Sequence, residues 1–319
     1  MKPLVSIGIL VYKRLNFLPH VLQVVSAQDY PYLELIVSDN GVNGTKVPEI
    51  VDRCYSRPYQ FRQNPGTVSI SRHFNQLVDA ASGSYFILLS DDDEISPNYV
   101  SELVSRMERH PSASVAIAKQ EILDEKGMRV RQSSQMLPEI LSGPDFIRDA
   151  WLTYKYKYEC FATFLAKTDQ IRACGGFPDF KTGTHNDNAL LIKLSLNSCI
   201  VFSSKCSFRW RVYDNSHGWS ISVWDLAQST REFLEFLRND PRILCFSSLH
   251  PTEWEELKYV LSRMAWETYF NRWGNIYRKR LTLMQWIQAA FLIPPIPAYY
   301  REIASTFWEG FKSTYRRTG

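Results

Sequence analysis

The sequence predicts an α/β fold, in which a mostly parallel, Rossmann-like sheet is flanked by helices and followed by a helical C-terminal region. Three observations support this. Apolar runs alternate with amphipathic stretches through the first hundred residues, acidic residues follow several of the apolar runs, and the pattern beyond about residue 220 becomes helical and aromatic. Strands separated by helices build βαβ units and a parallel sheet. We therefore predict two regions, 1–215 and 216–319.

The elements of the first hundred residues follow from apolar spacing and turn residues. We predict a first helix over 17–28, a second over 69–82 that is closed by Gly83, and a third over 96–111. Ser96 would cap the third helix, with Pro97 at its first position, where the fixed φ of proline suits a helix start. The predicted strands are 4–12, 33–41, 59–65 and 85–94.

The remaining chain has a mixed pattern and then a helical one. We predict a helix over 187–196 between the last two strands of the middle region. Its strands are predicted at 114–123, 160–167 and 199–213, and the C-terminal helices at 223–239 and 252–273, followed by a helical tail.

Charge excludes some partners and leaves others open. The net charge of +4 over 319 residues does not imply a nucleic-acid partner. Residues 255–319 hold ten lysines and arginines against five glutamates, a net +5, among many aromatic residues. This mixture suits a membrane surface or an acidic ligand, and a solvated basic face on a helical tail is the alternative.

Cysteine usage and hydropathy predict a cytoplasmic protein. The six cysteines form no CxxC pair and no metal-finger spacing, which is typical of reduced, mostly buried thiols. The apolar stretch at 3–12 is short and is followed by Lys13 and Arg14, so we interpret it as a strand rather than a signal peptide. The stretch at 289–300 contains three prolines and falls short of the ~18 residues that span a bilayer. Peripheral contact with the cytoplasmic face of a membrane remains open.

Acidic residues fall at the ends of two predicted strands. Asp39 and Asn40 end the second strand, and Asp91–Asp93 follow the fourth. Because ligands bind beyond the carboxyl ends of parallel strands, these side chains are predicted to converge on one edge. Carboxylates at such an edge suit Mn²⁺ or Mg²⁺. The alternative is an acidic turn that favours the dipole of the next helix, and we apply it to Glu94 and partly to Asp93.

Five blocks in order carry a resemblance that covers about residues 4–195. They are "VSIGILVYKR", "LELIVSDNGVNGT", "NPGTVSISRHFN", "YFILLSDDDEISPNYV" and "ACGGFPDFKTGTHNDNALLIKLSL". Together they resemble the family 2 glycosyltransferases of the GT-A fold. The fourth block is similar to the segment that bears the metal-binding D-x-D of that family. The helical C-terminal region is not covered by the resemblance.

The resemblance implies a nucleotide-sugar donor and assigns residues to it. Tyr12 would pack on the nucleobase, with a core aromatic as the alternative. Asp39 would accept from a base N–H, with a turn former as the alternative. Arg72 would approach the base or the diphosphate. Asp92 would be the principal metal ligand, and Asp91 would face the ribose or a metal-bound water.

The resemblance also implies the catalytic base and shows two departures. Asp187 would take the proton of the acceptor hydroxyl, with a helix-capping aspartate as the alternative. The family usually has Glu–Asp where this chain has Asn186–Asp187. The family's Arg-x-His becomes Arg211 followed by Tyr213, so either His217 reaches the metal from a shifted loop or that ligand is absent. Arg211 could clamp phosphate.

These expectations combine into one function with two alternatives. We expect an inverting, metal-dependent hexosyltransferase of polysaccharide biosynthesis, with a UDP-sugar donor and a glycan or lipid-linked glycan acceptor. A sugar-phosphate nucleotidyltransferase is one alternative, although the loop after the first strand lacks the glycines it usually needs. A non-catalytic sugar-nucleotide-binding subunit is the other, motivated by Asn186 and Tyr213. P-loop, GxGxxG, HExxH and GxSxG motifs are absent from the sequence. The tryptophans of the C-terminal region would stack on sugars, sit at a lipid surface or, for most of them, pack in the core.

Overall fold

A computed structural model describes most of the N-terminal region and part of the C-terminal one. The described residues are 2–132, 137–151, 164–212, 221–276 and 291–293. Within these ranges a single ten-stranded sheet forms the centre of the protein, with helices on both faces.

Four parallel strands form the first half of the sheet, in the order β3-β2-β1-β4. This confirms the Rossmann-like pattern predicted for the first hundred residues. Their bounds are β1 Val5–Val11, β2 Leu33–Asp39, β3 Tyr59–Gln63 and β4 Tyr85–Ser90. Each of them except β3 is largely buried, as strands covered on both faces must be.

The second half of the sheet is mixed rather than parallel. The strand β9 pairs antiparallel to both β4 and β6, and β6 pairs parallel to β10. The short strands β5, β7 and β8 pair antiparallel at its margins. The bounds are β5 Glu94–Ile95, β6 Ala113–Leu123, β7 Arg129–Gln132, β8 Ile140–Ser142, β9 Phe164–Lys167 and β10 Cys199–Arg211.

The helices cover the two faces of the sheet and create two hydrophobic cores. One core lies under α1, α2 and α4, and the other under α3, α6, α7 and the C-terminal helices. The helices are α1 Leu18–Ser26, α2 Lys46–Cys54, α3 Ile70–Ala80, α4 Tyr99–Arg109, α5 Gly143–Asp145 continued by a π-helical Phe146–Trp151, α6 Thr168–Ala173, α7 Asn186–Ser195, α8 Val223–Asn239, α9 Pro241–Leu249 and α10 Pro251–Ile276.

The C-terminal helices pack on the sheet domain through a continuous apolar core. Phe233 of α8, Phe246 of α9 and Tyr269 of α10 belong to the same buried cluster as Phe74 of α3. Trp254 and Trp266 are buried in it as well, so core packing is confirmed for these two tryptophans. The boundary between 1–215 and 216–319 remains a prediction.

The start predicted for the third helix is wrong. The helix α4 begins at Tyr99 with Asn98 as its N-cap, and no side chain caps it. Ser96 pairs instead with the backbone of Ser207 in β10, as its N–H donates to the Ser207 oxygen and its hydroxyl accepts from the Ser207 N–H. Glu94 lies in β5. Pairing with a strand more than a hundred residues away therefore replaces the local cap expected of Ser96, Asp93 and Glu94.

The prediction that the cysteines are mostly buried is wrong for the described residues. Cys54, Cys174, Cys199, Cys206 and Cys245 are free thiols, but only Cys174 and Cys206 are buried, and Cys245 is exposed. No helix within the described ranges is long and apolar enough to cross a bilayer.

Candidate active site

The ends of β1, β2 and β4 bring the predicted site residues to one edge. In the parallel register Val11 of β1 lies beside Asp39 of β2, and Leu10 lies beside Ser90 of β4. Residues just beyond these positions are therefore neighbours. The backbone N–H of Tyr12 donates to Asp91 Oδ2 over 3.2 Å, which joins the first and fourth strands at the predicted edge.

Two adjacent carboxylates of the acid cluster after β4 are buried, which is costly. Asp91 and Asp92 are only 4% and 9% exposed. Burial, reinforced by the Asp92 carboxylate, raises the pKa of Asp91 to about 7, although Arg14 lowers it. Burial also raises the pKa values of Asp92 and Asp93, the latter helped by the Asp92 charge. The cluster thus holds negative charge that a cation would stabilise.

Arg14 faces this cluster and was not singled out by the sequence. Its Nη1 lies 3.3 Å from Asp92 Oδ2, and its Nη2 lies 3.7 Å from Asp91 Oδ1. A tight turn after β1 directs the side chain there. Lys13 adopts a left-handed φ of 63°, and the Arg14 N–H donates back to the Tyr12 oxygen over 2.7 Å. The spacing of Arg14 after the strand was visible in the sequence, but the turn that aims it was not.

The donor set of the cluster fits a hard divalent cation. Among the described residues no group of three or more His, Cys, Asp and Glu side chains is gathered as a metal site. Mg²⁺ in nucleotide sites, however, commonly takes one or two carboxylates and receives the rest from phosphate and water. Asp91 and Asp92 supply that number of oxygen ligands, and burial is the main cause of the raised pKa values of both carboxyls.

Asp39 organises the loop that follows β2. It is fully buried, and its Oδ2 accepts from the backbone N–H groups of Val42 and Asn43 over 3.2 and 3.1 Å. Its Oδ1 accepts from the Asn43 side chain over 2.7 Å, and Gln63 of β3 also donates to Oδ2. Asp39 therefore forms the turn after β2, as the alternative interpretation expected. Its contact with a base remains a prediction.

Tyr12 and Arg72 lie directly after β1 and in the first turn of α3. Tyr12 is half-buried directly after β1, and the Lys13 ammonium lies 4.9 Å from the centre of its ring. Arg72 is exposed in the first turn of α3, where its N–H donates to the Ser69 hydroxyl that caps the helix. Both side chains remain candidates for the donor nucleotide.

Arg211 is engaged in the protein to a degree that the sequence did not indicate. Its Nη2 donates to Glu94 Oε1 over 2.6 Å, and its Nη1 donates to the carbonyls of Asp124 and Glu125 over 3.1 and 3.2 Å. Its Nε reaches the Asp92 carbonyl at 3.3 Å. Arg211 thus ties the acid cluster to the β6–β7 turn. The predicted phosphate contact would require it to give up part of this set.

Asp187 lies in the first turn of α7. Its Oδ1 accepts from the Asn188 N–H over 2.8 Å, and the N-cap position itself is taken by His185, with a left-handed φ of 71°. The His185 ring stacks on Phe233 of α8 at 4.8 Å, which holds this strained residue in place. The C-terminal helices therefore position the start of the helix that carries Asp187.

The loop before α7 is anchored on both sides. The Asn75 amide of α3 exchanges two hydrogen bonds with the Phe177 backbone, at 2.8 and 2.9 Å. The buried Lys193 of α7 donates to the carbonyls of Cys174 and Gly176 over 2.9 and 2.6 Å. Gly176 has φ +66°, and a Cβ there would lie 2.2 Å from Asn75 Oδ1. This anchoring explains the paired glycines of the "ACGGF" block.

The structure brings together most of the predicted site residues but not all of them. Tyr12, Asp39, Asp91 and Asp92 share the sheet edge. Asp187 follows Asn186, whose side-chain amide donates to the Ser71 hydroxyl over 3.0 Å. This contact links the start of α7, which carries Asp187, to the first turn of α3. His217 lies outside the described residues, so its metal role remains a prediction.

Two solved structures share this fold. TarS 1–349 of S. aureus in complex with UDP-GlcNAc matches with a TM-score of 0.65 and 18% identity, over 90% of this chain and 79% of that 1–349 chain. The mannosyltransferase PcManGT from Pyrobaculum calidifontis, in complex with GDP-Man and Mn²⁺, matches with a TM-score of 0.55 and 14% identity, over 99% and 83% of the two chains. The architecture is that of the GT-A glycosyltransferases.

The family follows from the sequence match. The family model of glycosyl transferase family 2 matches residues 6–174, more than half of the chain, and the chain belongs to this family. An uncharacterized glycosyltransferase of Rickettsia felis is 30% identical over 132 residues, 40% of this chain and 21% of the relative. Protein y4gI of Sinorhizobium fredii is 25% identical over 223 residues, 67% and 23% of the two chains. The chain spans about a fifth of the length of these relatives.

Proposed function

We propose that the chain is an inverting, metal-dependent hexosyltransferase that moves a sugar from UDP to a glycan. The observation that carries the proposal is the juxtaposition at the sheet edge. Buried carboxylates of Asp91 and Asp92 lie beside Tyr12, and the Ser71–Asn186 contact joins α3 to the helix start that bears Asp187. One side of this edge suits a nucleotide diphosphate, and the other suits an acceptor hydroxyl.

The donor side would be formed by the first two strands and α3. Tyr12 would stack on the base and Asp39 would accept from its N–H, which suits uracil or thymine better than guanine. Arg72 at the start of α3 would approach the base or the diphosphate. The likeness to a fold seen with UDP-GlcNAc supports a UDP-sugar.

Asp92 would hold Mn²⁺ or Mg²⁺ directly, with Asp91 facing the ribose or a metal-bound water. When bound, the cation would neutralise the diphosphate leaving group as a Lewis acid. The Mn²⁺ in the complex of PcManGT supports a divalent cation as the cofactor. The chain's own part is to present two buried carboxylates whose pKa values are already raised by burial.

Asp187 would act as general base on the acceptor. Its carboxylate would take the proton of the acceptor hydroxyl, whose oxygen forms the new bond to the anomeric carbon. The bond from that carbon to the phosphate oxygen breaks, and the electron pair leaves with UDP. Attack from the face opposite the leaving group inverts the anomeric centre, and base catalysis of this sort contributes about 10²–10⁴-fold.

The acceptor is proposed to be a growing glycan of polysaccharide biosynthesis, free or lipid-linked. The region 216–319 would dock it, or the membrane surface that carries it, on the cytoplasmic face. Its basic and aromatic composition supports this assignment.

A panel of nucleotide sugars tests the proposal. The protein is heated with UDP-, GDP- and dTDP-sugars, each with and without Mn²⁺, and the release of nucleoside diphosphate is measured in parallel. We expect a rise in Tm with one UDP-sugar that depends on Mn²⁺. No rise with any nucleotide would refute the proposal. Pyrophosphate release from UTP and a sugar phosphate would favour the nucleotidyltransferase instead.

A further inference from the structure

We infer that the Arg14 guanidinium is a displaceable counterion of Asp91 and Asp92, the carboxylates proposed to face the metal. It pairs with them until a donor binds and then moves to pair with the diphosphate of the donor. The inference rests on the proposed function and adds a positioning role that the sequence did not assign. It arises from the contact of one guanidinium with both Asp91 and Asp92, the residues proposed to face the cation.

Arg14 is more exposed than the acids that it contacts. The Arg14 side chain is 33% exposed, whereas those of Asp91 and Asp92 are 5% and 11% exposed. A cation that binds both carboxylates must therefore replace the guanidinium or share them with it. The distances of 3.3 and 3.7 Å from its two nitrogens to the carboxylates are longer than those of short bidentate pairs, which hold an arginine most firmly.

The turn that carries Arg14 fixes where its side chain leaves the backbone. Arg14 follows a left-handed Lys13 in a turn closed by the Arg14-to-Tyr12 hydrogen bond. The side chain thus leaves the sheet edge directly beside the proposed base-stacking residue. A guanidinium released from the aspartates would remain next to the bound nucleotide, where its planar donors match phosphate oxygens.

Arg211 shows why a second arginine does not take the same role. It donates to Glu94 and to the carbonyls of Asp92, Asp124 and Glu125, and its side chain is 5% exposed. Arg211 is a fixed tie within the protein. In this inference Arg14 is the displaceable positive charge, and Arg211 is a structural one.

The inference predicts effects of opposite sign on two binding constants. In Arg14→Gln the competing charge is gone, so we expect Mn²⁺ alone to bind about 5-fold more tightly. UDP in saturating Mn²⁺ should bind about 10-fold more weakly, because the diphosphate loses charge-assisted hydrogen bonds. Free Mn²⁺ is followed by electron paramagnetic resonance and UDP by calorimetry, with GDP in a parallel arm. Arg53→Gln, an exposed arginine of α2, is the matched control and should change neither constant.

The outcomes separate this inference from the proposed function. If wild-type protein binds no Mn²⁺ with UDP or GDP, the proposed function fails. If wild-type protein binds both and Arg14→Gln weakens or leaves unchanged the affinity for Mn²⁺ alone, Arg14 is structural and the inference is overturned. Arg14→Lys keeps a charge that is a poorer match to two carboxylates, so it should shift both constants in the same directions by less. If Arg14→Gln does not fold, the two binding constants of Arg14→Lys test the inference instead.

Discussion

The Asn186 side-chain amide donates to the Ser71 hydroxyl over 3.0 Å, and both residues are buried. This bond joins the first turn of α3 to the first turn of α7. Asn186 stands where the family's usual Glu–Asp pair has glutamate, and in this chain its amide donates to Ser71. A carboxylate there would instead have to accept from the Ser71 hydroxyl.

Asn186→Ala should lower kcat more than stability. The alanine loses two side-chain hydrogen bonds, one to the Ser71 hydroxyl and one from the Asp187 N–H, at about 1 kcal/mol each. Displacing a catalytic group by about an ångström can cost on the order of 10²-fold in rate. We expect kcat to fall 10- to 100-fold by this reasoning, with a small drop in Tm. Asn197→Ala, at an exposed asparagine after α7, should change neither. A lower Tm with unchanged kcat would show that the bond does not position Asp187.

Asp187→Asn tests the base. The amide oxygen can still accept from the Asn188 N–H, so the helix start should persist. We expect kcat to fall about 10²–10⁴-fold, with the affinity for donor retained. Asp169→Asn is a closely matched control, because Asp169 is also the second residue of its helix and accepts from the next N–H over 2.8 Å. Equal rates in Asp187→Asn and wild type would favour a non-catalytic binder.

Asp92→Asn should remove the metal-dependent part of donor binding. The Mn²⁺-dependent rise in Tm with UDP should disappear, and kcat/KM should fall at least about 100-fold, since metal-held charge stabilisation is worth several kcal/mol. The exposed Asp79 of α3 provides the control, and Asp79→Asn should keep the full rise. Retention of that rise in Asp92→Asn would place the cation elsewhere.

Lys193→Met should unfold at lower denaturant concentration. Its ammonium is buried and donates to two carbonyls of the loop before α7, while burial lowers its pKa. Methionine fills the space but leaves both carbonyls without that donor, which we expect to cost about 2 kcal/mol of unfolding free energy. Guanidinium titration measures the change, and the exposed Lys205→Met should show none. An unchanged midpoint would mean that water replaces the ammonium.

His73 predicts a pH dependence of stability. It is fully buried behind Asp39, with Nε2 2.7 Å from the Ser38 hydroxyl. Burial lowers its pKa to about 4, although the Asp39 charge and the Ser38 contact raise it. The unfolded state therefore binds an extra proton between about pH 6.5 and 4. The stability is fully present above pH 6.5 and is lost on acidification, by about 3 kcal/mol in all.

The variant His73→Gln isolates this contribution, because glutamine can keep the contact with Ser38 but does not titrate. Asp91, with its raised pKa, acts in the opposite direction over part of this range. The informative quantity is therefore the difference between variant and wild type from pH 7 to pH 4. His250→Gln, at an exposed histidine, should follow wild type. Parallel curves for His73→Gln and wild type would contradict the prediction.

Local patterns predicted the elements whose burial is periodic. The helix α8 begins and ends where its sequence indicated, at 223 and 239, and β1 lies within the predicted 4–12. The helices α2 and α9 were not predicted. The start of α9 had a signal, since Asp240 precedes Pro241 and caps the helix by accepting from Arg242 and Ile243. Short helices give too few turns for their periodicity to stand out.

The sequence by itself determined the alternation of strands and helices and the presence of acids at a strand end, because both depend on neighbours along the chain. Only the tertiary structure decided what each charged group does. Arg14 contacts Asp92 over a sequence separation of 78 residues, Asn186 contacts Ser71 over 115, and Ser96 pairs with Ser207 over 111. Such contacts depend on strand order and helix placement, which local spacing does not encode. Of the three aspartates after β4, Asp91 and Asp92 are buried and face Arg14, and Arg211 holds the Asp92 carbonyl.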